Sequence, residues 1–206
     1  MAQGDRVGRV IVVMGVSGTG KTSVGRLLAD ALGVPYAEGD TFHSAANVAK
    51  MRGGTPLDDV DRRPWLDAVG AWIAARPAGR GGGVVSASAL KRAYRDRLRA
   101  AAPDVVFVHL TGDRALTEQR LEVRTGHFMP AALLDSQLDA LEPLEDDEVG
   151  VVVDVAGTPE QTARRALTAL KGLTSPGDAG ALGDPDAPAA PETPRKPETP
   201  GKPDTP

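Results

Sequence analysis

The sequence predicts an α/β fold, in which helices cover both faces of a mostly parallel β-sheet. Short apolar runs rich in β-branched residues alternate along residues 9–172 with stretches whose apolar residues repeat at helical spacing. The first run, Arg9 to Met14, has the composition of a strand buried on both faces. Alternation of this kind is typical of consecutive parallel strands whose connecting helices pack against the sheet.

The first half of the chain gives these elements in order. After the strand at residues 9–14, residues 21–32 carry an apolar stripe at helical spacing, and residues 36–40 predict a short second strand. Pro64 is expected in the first turn of a helix, where proline is favoured. The apolar positions from Trp65 to Ile73 continue that helix.

The second half continues the alternation. Strand-like segments are residues 83–87, 105–110 and 149–155. A basic helix is predicted at residues 91–101, and Asp113 is expected to cap a helix running towards Arg124. Thr158 and Gln161 have the spacing of a capping box, which predicts the start of a last helix.

The composition changes near Leu173, which predicts a folded domain at residues 1–172 and a separate tail at residues 173–206. The tail holds nine of the 17 prolines and few large apolar residues, so we expect it to be disordered. From Pro185 the prolines recur every third residue, the repeat of a polyproline II helix. The tail is either a docking segment or spacer, or a solubilising extension without a partner.

Charge and composition exclude several function classes. A net charge of −4 and 3% aromatic residues argue against nucleic-acid binding. The absence of cysteine excludes disulfides and thiolate catalysis. No apolar run approaches the roughly 18 residues of a membrane span, and the first apolar run leads into a glycine-rich loop instead of a cleavage site. A soluble cytoplasmic protein without a membrane partner is the expectation.

The glycine-rich loop satisfies the pattern G-x-x-x-x-G-K-[ST] of phosphate-binding loops (P-loops). Its residues are Gly15, Val16, Ser17, Gly18, Thr19, Gly20, Lys21 and Thr22, followed by Ser23. Such a loop turns its backbone N–H groups inward, and the following helix directs its positive dipole end at the same point. Lys21 is expected to reach the β- and γ-phosphates, and the Thr22 hydroxyl to ligate Mg²⁺. The loop therefore predicts the binding of a nucleoside triphosphate on a P-loop NTPase-type fold.

The rest of the chain narrows the reaction class. It has no Asn-Lys-x-Asp run for guanine and no apolar strand ending in a Walker-B aspartate, which argues against a GTPase or a motor ATPase. Small-metabolite kinases remain. Glu38 and Asp40 lie two apart on the predicted second strand, so both carboxylates are expected to face the P-loop. One is a candidate base for the acceptor hydroxyl, and either is a candidate to hold a metal-bound water. Alternatively, Asp40 caps the helix that follows.

Cations are needed around the migrating phosphoryl group. Arg120 and Arg124 are spaced i, i+4 and are expected on one helical face, although any single arginine could also be a solvated surface charge. The segment from Arg124 to Pro130, which includes His127, is bounded by glycine and proline and is a candidate lid over ATP.

Several segments together resemble the bacterial gluconate kinases of the thermoresistant gluconokinase group. They are residues 15–23, Glu38-Gly39-Asp40 with His43 and Asn47, Lys50-Met51 with Gly54, Pro56-Leu57 with Asp59, Asp61-Arg62 and Pro64-Trp65-Leu66, Ser88-Ala89-Leu90-Lys91 with Tyr94-Arg95-Asp96 and Leu98-Arg99, Gly126-His127-Phe128-Met129, and residues 133–137 with Leu141-Glu142. The resemblance covers roughly residues 9–170. Ala87 stands where a cysteine is expected in many relatives, and the tail has no typical counterpart.

The resemblance implies phosphorylation of D-gluconate by ATP, a parallel five-stranded sheet, Mg²⁺ dependence and a homodimer. A gluconate site needs a cation for the carboxylate and hydrogen-bonding groups along the polyol. The candidates are His43, Arg52, Lys91, Arg95 and His127. In the expected mechanism Asp40 is the base, while Lys21 and Arg124 neutralise the phosphoryl group.

Each of these residues also has a purely structural interpretation. His43 can simply solvate a helix start, Lys91 and Arg95 can be a solvated helix face, and Trp65 is expected in the core. Two other functions also stay open. One is a kinase for another small anion such as shikimate, and the other is a non-catalytic nucleotide sensor that recruits a partner through its tail.

Overall fold

A computed structural model of the chain describes residues 9–76, 81–123 and 131–173. Its strands are β1 (Val10–Met14), β2 (Tyr36–Glu38), β3 (Gly83–Ser86), β4 (Val106–Thr111) and β5 (Gly150–Asp154). They form one sheet in the order β2-β3-β1-β4-β5, and every neighbouring pair is parallel. The predicted fold class, a parallel five-stranded sheet of the P-loop type, is confirmed.

The helices of the described ranges follow the predicted alternation. They are α1 (Lys21–Leu32), α2 (Ala45–Arg52), α3 (Asp59–Ala74), α4 (Arg92–Ala101), α5 (Arg114–Val123), α6 (Ala131–Asp139) and α7 (Pro159–Gly172). The predicted capping box at α7 is confirmed: Thr158 Oγ1 accepts from the Gln161 N–H, and Gln161 Oε1 accepts from the Thr158 N–H. Within the same ranges, no helix combines the length and the apolar character that crossing a membrane requires.

The core lies in two layers on opposite faces of the sheet. Because side chains alternate along a strand, Val12 of β1 faces one layer and Val13 faces the other. The first layer packs β1 and β4 against α3 and α4, with Trp65 and Phe107 fully buried. The second packs the sheet against α1 and α7, with Leu28 at its centre. Because all five strands are parallel, their carboxyl ends lie at one edge of the sheet, where the P-loop follows β1.

Pro64 does not begin its helix, contrary to the prediction. α3 starts five residues earlier at Asp59, because Asp58 and Asp61 form a capping box. The Asp58 carboxylate accepts from the Asp61 N–H at 2.7 Å, and the Asp61 carboxylate accepts from the Asp58 N–H at 3.3 Å. The two aspartates satisfy orphan N–H groups of the first turn, so Pro64 falls at the sixth position of the helix.

The second strand ends at Glu38 instead of Asp40. At Gly39 the chain comes so close to β3 that an added Cβ would lie 2.0 Å from the Ser86 carbonyl oxygen. Residues Gly39–Phe42 then form a 3₁₀ turn, and Trp65 Nε1 donates to the Gly39 carbonyl at 2.8 Å. The prediction that Glu38 and Asp40 lie two apart on one strand, with both carboxylates on the same face, is therefore wrong.

The predicted lid, from Arg124 to Pro130, and most of the predicted tail lie outside the described residues.

Candidate active site

The P-loop joins β1 to α1, and its shape depends on three glycines. Gly15, Gly18 and Gly20 have φ angles of 138°, 87° and 89°, a region that disfavours other residues. A Cβ on Gly15 would lie 2.5 Å from the Leu110 carbonyl oxygen, and one on Gly18 would lie 2.7 Å from that of Thr117. The loop therefore packs closely against β4 at Gly15 and against α5 at Gly18, where a side chain would not fit.

Hydrogen bonds inside the loop hold its turn. The Val16 carbonyl accepts from the Thr19 hydroxyl at 2.8 Å and from Lys21 Nζ at 3.0 Å. α1 begins at the loop, and the N-cap residue Gly20 has no side chain to occupy the first N–H groups. An open helix N-terminus next to a lysine is a binding site for phosphate groups.

Gln137 of α6 reaches this loop, a contact that sequence reasoning did not identify. The Ser17 N–H donates to Gln137 Oε1 at 2.8 Å. The two residues are 120 positions apart, so no local pattern could pair them. The contact joins the P-loop to the neighbouring cavity, which Gln137 also lines.

A polar cluster occupies the carboxyl ends of β2 and β3. The Tyr36 hydroxyl lies 2.8 Å from Glu38 Oε2 and 2.9 Å from Ser86 Oγ, and Ser86 donates to Glu38 Oε1 at 2.5 Å. Burial raises the pKa of Tyr36 to about 12, with hydrogen bonds to Ser86 and Thr22 opposing the rise. The Tyr36 hydroxyl thus links the half-buried Glu38 carboxylate to Thr22, the predicted metal ligand.

The Asp40 carboxylate, unlike that of Glu38, is not part of this polar cluster. Its side chain is exposed on the 3₁₀ turn, and among the described residues its carboxylate has no hydrogen-bond partner. The alternative that Asp40 caps the next helix is wrong, because Ser44 is the N-cap of α2 and accepts from the Asn47 N–H at 3.2 Å. Asp40 therefore keeps its oxygens available.

A cavity of about 490 Å³ opens beside the P-loop. Its lining residues come from the start of α3, the start of α4 and from α6: Pro56, Leu57, Asp58, Asp59, Val60, Arg62, Leu90, Lys91, Tyr94, Ser136, Gln137 and Ala140. Lys91 Nζ contacts both Asp59 oxygens at 2.8 and 3.1 Å, and the Tyr94 hydroxyl also donates to Asp59. Of the predicted substrate-binding residues, Lys91 lines this cavity.

Arg95 is neither a substrate ligand nor a solvated residue, which corrects both expectations. Its side chain is fully buried, and its five N–H donors are occupied. Nε and Nη2 bind Glu148 at 2.6 and 2.8 Å, and the remaining donors bind three backbone carbonyls. Arg95 is a structural residue that ties α4 to the segment before β5.

Comparison with known proteins places this geometry in a family. The family described as an AAA domain matches residues 10–144. The gluconokinase of Gluconobacter oxydans (strain 621H) is 48% identical over 149 residues, which cover 72% of this chain and 83% of that protein. The thermosensitive gluconokinase of Escherichia coli (strain K12) is 40% identical, covering 80% and 90%. The chain belongs to the gluconokinase family.

The solved structure of a gluconokinase has the same fold as this chain. The crystal structure of the Sinorhizobium meliloti 1021 gluconokinase superposes with a TM-score of 0.74 at 48% identity, covering 81% of this chain and 94% of that one. The resemblance derived from the sequence is confirmed, and with it a nucleotide-binding P-loop acting on a small-molecule substrate.

Two other predicted site residues of this gluconokinase-family chain, His43 and Arg52, differ in their burial and contacts. His43 stacks on Trp65 with ring centroids 4.8 Å apart, and Trp65 is in the core as expected. Burial lowers the pKa of His43, with Asp40 opposing the shift and Arg62 adding to it. Arg52 is exposed at the end of α2.

Arg120 joins α5 to the loop after β5. Its Nη2 donates to the carbonyls of Val155 and Gly157 at 2.9 and 3.0 Å. Its role in nucleotide binding stays a prediction. Arg124 and His127 lie outside the described residues.

The donor set fits Mg²⁺ carried by a nucleotide. Mg²⁺ prefers oxygen ligands, keeps several waters and typically takes one or two protein ligands besides phosphates. Thr22 and Glu38 supply such oxygens next to the P-loop. No group of three or more acidic or histidine side chains suited to a metal occurs in the described part of the chain.

Proposed function

We propose that the protein transfers the γ-phosphoryl group of ATP to D-gluconate, giving 6-phospho-D-gluconate and ADP. The observation that carries the proposal is the direct connection between a formed P-loop and a charged cavity, made by the Ser17–Gln137 hydrogen bond. The first part suits a triphosphate, and the second has the cations and hydroxyl partners that a sugar acid requires.

The P-loop residues have defined tasks in this reaction. The backbone N–H groups from Gly15 to Thr22, which include those of Gly18, Thr19 and Gly20, bind the ATP phosphates. The Lys21 ammonium binds the same phosphates. Mg²⁺ would be held by the Thr22 hydroxyl and, through a water, by the Glu38 carboxylate. When bound, the ion supplies positive charge to the phosphates. Ser23 and Arg120 are the further nucleotide contacts that we expect.

Asp40 is the proposed base. Glu38 already accepts hydrogen bonds from two hydroxyls, whereas Asp40 has an exposed carboxylate free to take a proton. The acceptor hydroxyl oxygen forms the new bond to the γ-phosphorus while the bond to the β,γ-bridging oxygen breaks, and the proton passes to Asp40. Lys21 and Arg124 balance the charge on the migrating group.

Turnover measurements test this assignment. ADP formation should depend on D-gluconate and be slow with shikimate or a nucleoside monophosphate. Lys21→Met and Asp40→Asn should each lower kcat by about 10²–10⁴-fold, the range for lost charge stabilisation or general-base catalysis. Asp30→Asn, an exposed aspartate of α1, is the matched control and should retain kcat. Equal ADP formation with and without gluconate would refute the proposed function, and normal kcat in Asp40→Asn would refute the base.

Three expectations from the sequence belong to the same proposal. We expect a homodimer, which light scattering measures, and a cytoplasmic location, which cell fractionation measures. We also expect the tail to be dispensable for catalysis, so that removal of residues 173–206 leaves kcat and KM unchanged.

A further inference from the structure

Arg62 is a half-buried cation of the cavity with unused hydrogen-bonding capacity. Its Nε donates to the Leu57 carbonyl at 3.3 Å. Over the ranges that the structure describes, its Nη1 and Nη2 have no hydrogen-bond acceptor and no carboxylate within 4.0 Å. A guanidinium carries five N–H donors, so four of them are left for a bound molecule.

The neighbouring charges are already paired with one another. Lys91 binds Asp59, and Lys50 binds Asp61 at 2.6 and 2.8 Å. The charge of Arg62 contributes to lowering the pKa of both Asp59 and Asp61, but their oxygens are occupied by the two lysines. An anion that enters the cavity therefore meets Arg62 as the available arginine.

The position of Arg62 is also fixed. Its guanidinium lies over the Tyr94 ring, 5.8 Å from the centroid, and its Nε is held by Leu57. The same charge helps to lower the pKa of His43, a shift that burial causes and the Asp40 carboxylate opposes. A planar guanidinium held in this way suits bidentate binding of a carboxylate.

We propose that Arg62 binds the carboxylate of the sugar acid and thereby selects an acid over the corresponding neutral polyol. This inference rests on the proposed function and identifies the specificity-determining residue of the same site. The carboxylate at Arg62 leaves the hydroxyls to Lys91 and Tyr94, and directs the far end of the substrate to the side where Gln137 contacts the P-loop.

The test compares Arg62→Met and Arg62→Lys with Arg63→Met. Arg63 is the next residue of α3 and is exposed, so it controls for charge and helix position. Arg62→Met should raise the KM for D-gluconate by about 10- to 100-fold, the range for losing hydrogen bonds to a charged group. The KM for ATP and the thermal midpoint should stay close to those of the wild type. Arg62→Lys should recover part of the loss, because it keeps the charge without the fork.

D-Glucitol, which has an alcohol in place of the carboxylate, separates recognition from structure. Used as acceptor and as competitor of gluconate, it should bind wild type and Arg62→Met equally weakly. An unchanged gluconate KM in Arg62→Met, or an equal loss for gluconate and glucitol, would overturn the role of Arg62 alone. A wild type without gluconate-dependent turnover would instead overturn the proposed function, and this inference with it.

Discussion

Replacing Arg95 by methionine should damage the fold and not the recognition of substrate. The side chains of Arg95 and Glu148 are both 0% exposed, and they share two hydrogen bonds. The substitution leaves the Glu148 carboxylate buried with the Glu145 N–H, at 3.0 Å, as its remaining donor in the described structure. It also removes the donor to the Glu142 and Pro143 carbonyls, whereas the Leu90 carbonyl keeps the Glu142 N–H at 2.9 Å. Breaking a buried pair in this way costs about 3–5 kcal/mol, a large share of the ~5–15 kcal/mol that stabilises a typical domain.

Urea unfolding at constant pH measures this loss. Arg97→Met is the control on the same helix, because Arg97 pairs with Asp67 at side-chain exposures of 46% and 56% and should cost less than about 1 kcal/mol. The double variant Arg95→Met/Glu148→Leu should recover much of the stability, since no charge stays buried. If Arg95→Met is as stable as Arg97→Met and instead raises the gluconate KM, the structural assignment of Arg95 is wrong.

Three further variants probe other parts of the structure. Burial, with a neighbouring guanidinium, lowers the pKa of His109 to about 4 from its ordinary 6.5. Stability is therefore complete above pH 6.5 and falls by about 3 kcal/mol towards pH 4, a slope that urea unfolding should find missing in His109→Gln. Gly39→Ala places a Cβ 2.0 Å from the Ser86 carbonyl oxygen, so unfolding should show a loss of about 1–3 kcal/mol, and an unaltered midpoint would contradict that contact. Gln137→Ala frees an N–H of the P-loop, so the KM for ATP should fall about two- to tenfold, and a rise would mean that Gln137 assists nucleotide binding.

The parts of the site that the sequence predicts well are local. Eight consecutive residues encode the P-loop, because its glycines, lysine and flanking strand and helix act within one turn of chain. The capping box at Thr158 is predicted for the same reason, since donor and acceptor are three residues apart.

The parts that the sequence does not predict depend on distant partners. α4 carries a run of basic residues, and which of them is buried depends on Glu148, 53 positions away from Arg95. The contact of Gln137 with Ser17 likewise depends on tertiary packing. So does the number of Arg62 N–H donors that have an acceptor in the described residues. The prediction that Glu38 and Asp40 share a strand face is wrong because the strand ends at Glu38. Gly39 allows the chain to pass close to the Ser86 backbone and to leave the sheet at that point.

We propose that this P-loop delivers a phosphoryl group to a sugar acid in the adjoining cavity. Phosphorus and carbon NMR of the full-length protein with ATP, Mg²⁺ and ¹³C-labelled D-gluconate follows that transfer atom by atom. We expect one ester resonance coupled to carbon 6 of gluconate, appearing in step with ADP and absent with Lys21→Met. Release of inorganic phosphate alone, or an unchanged gluconate spectrum while ADP accumulates, would contradict it.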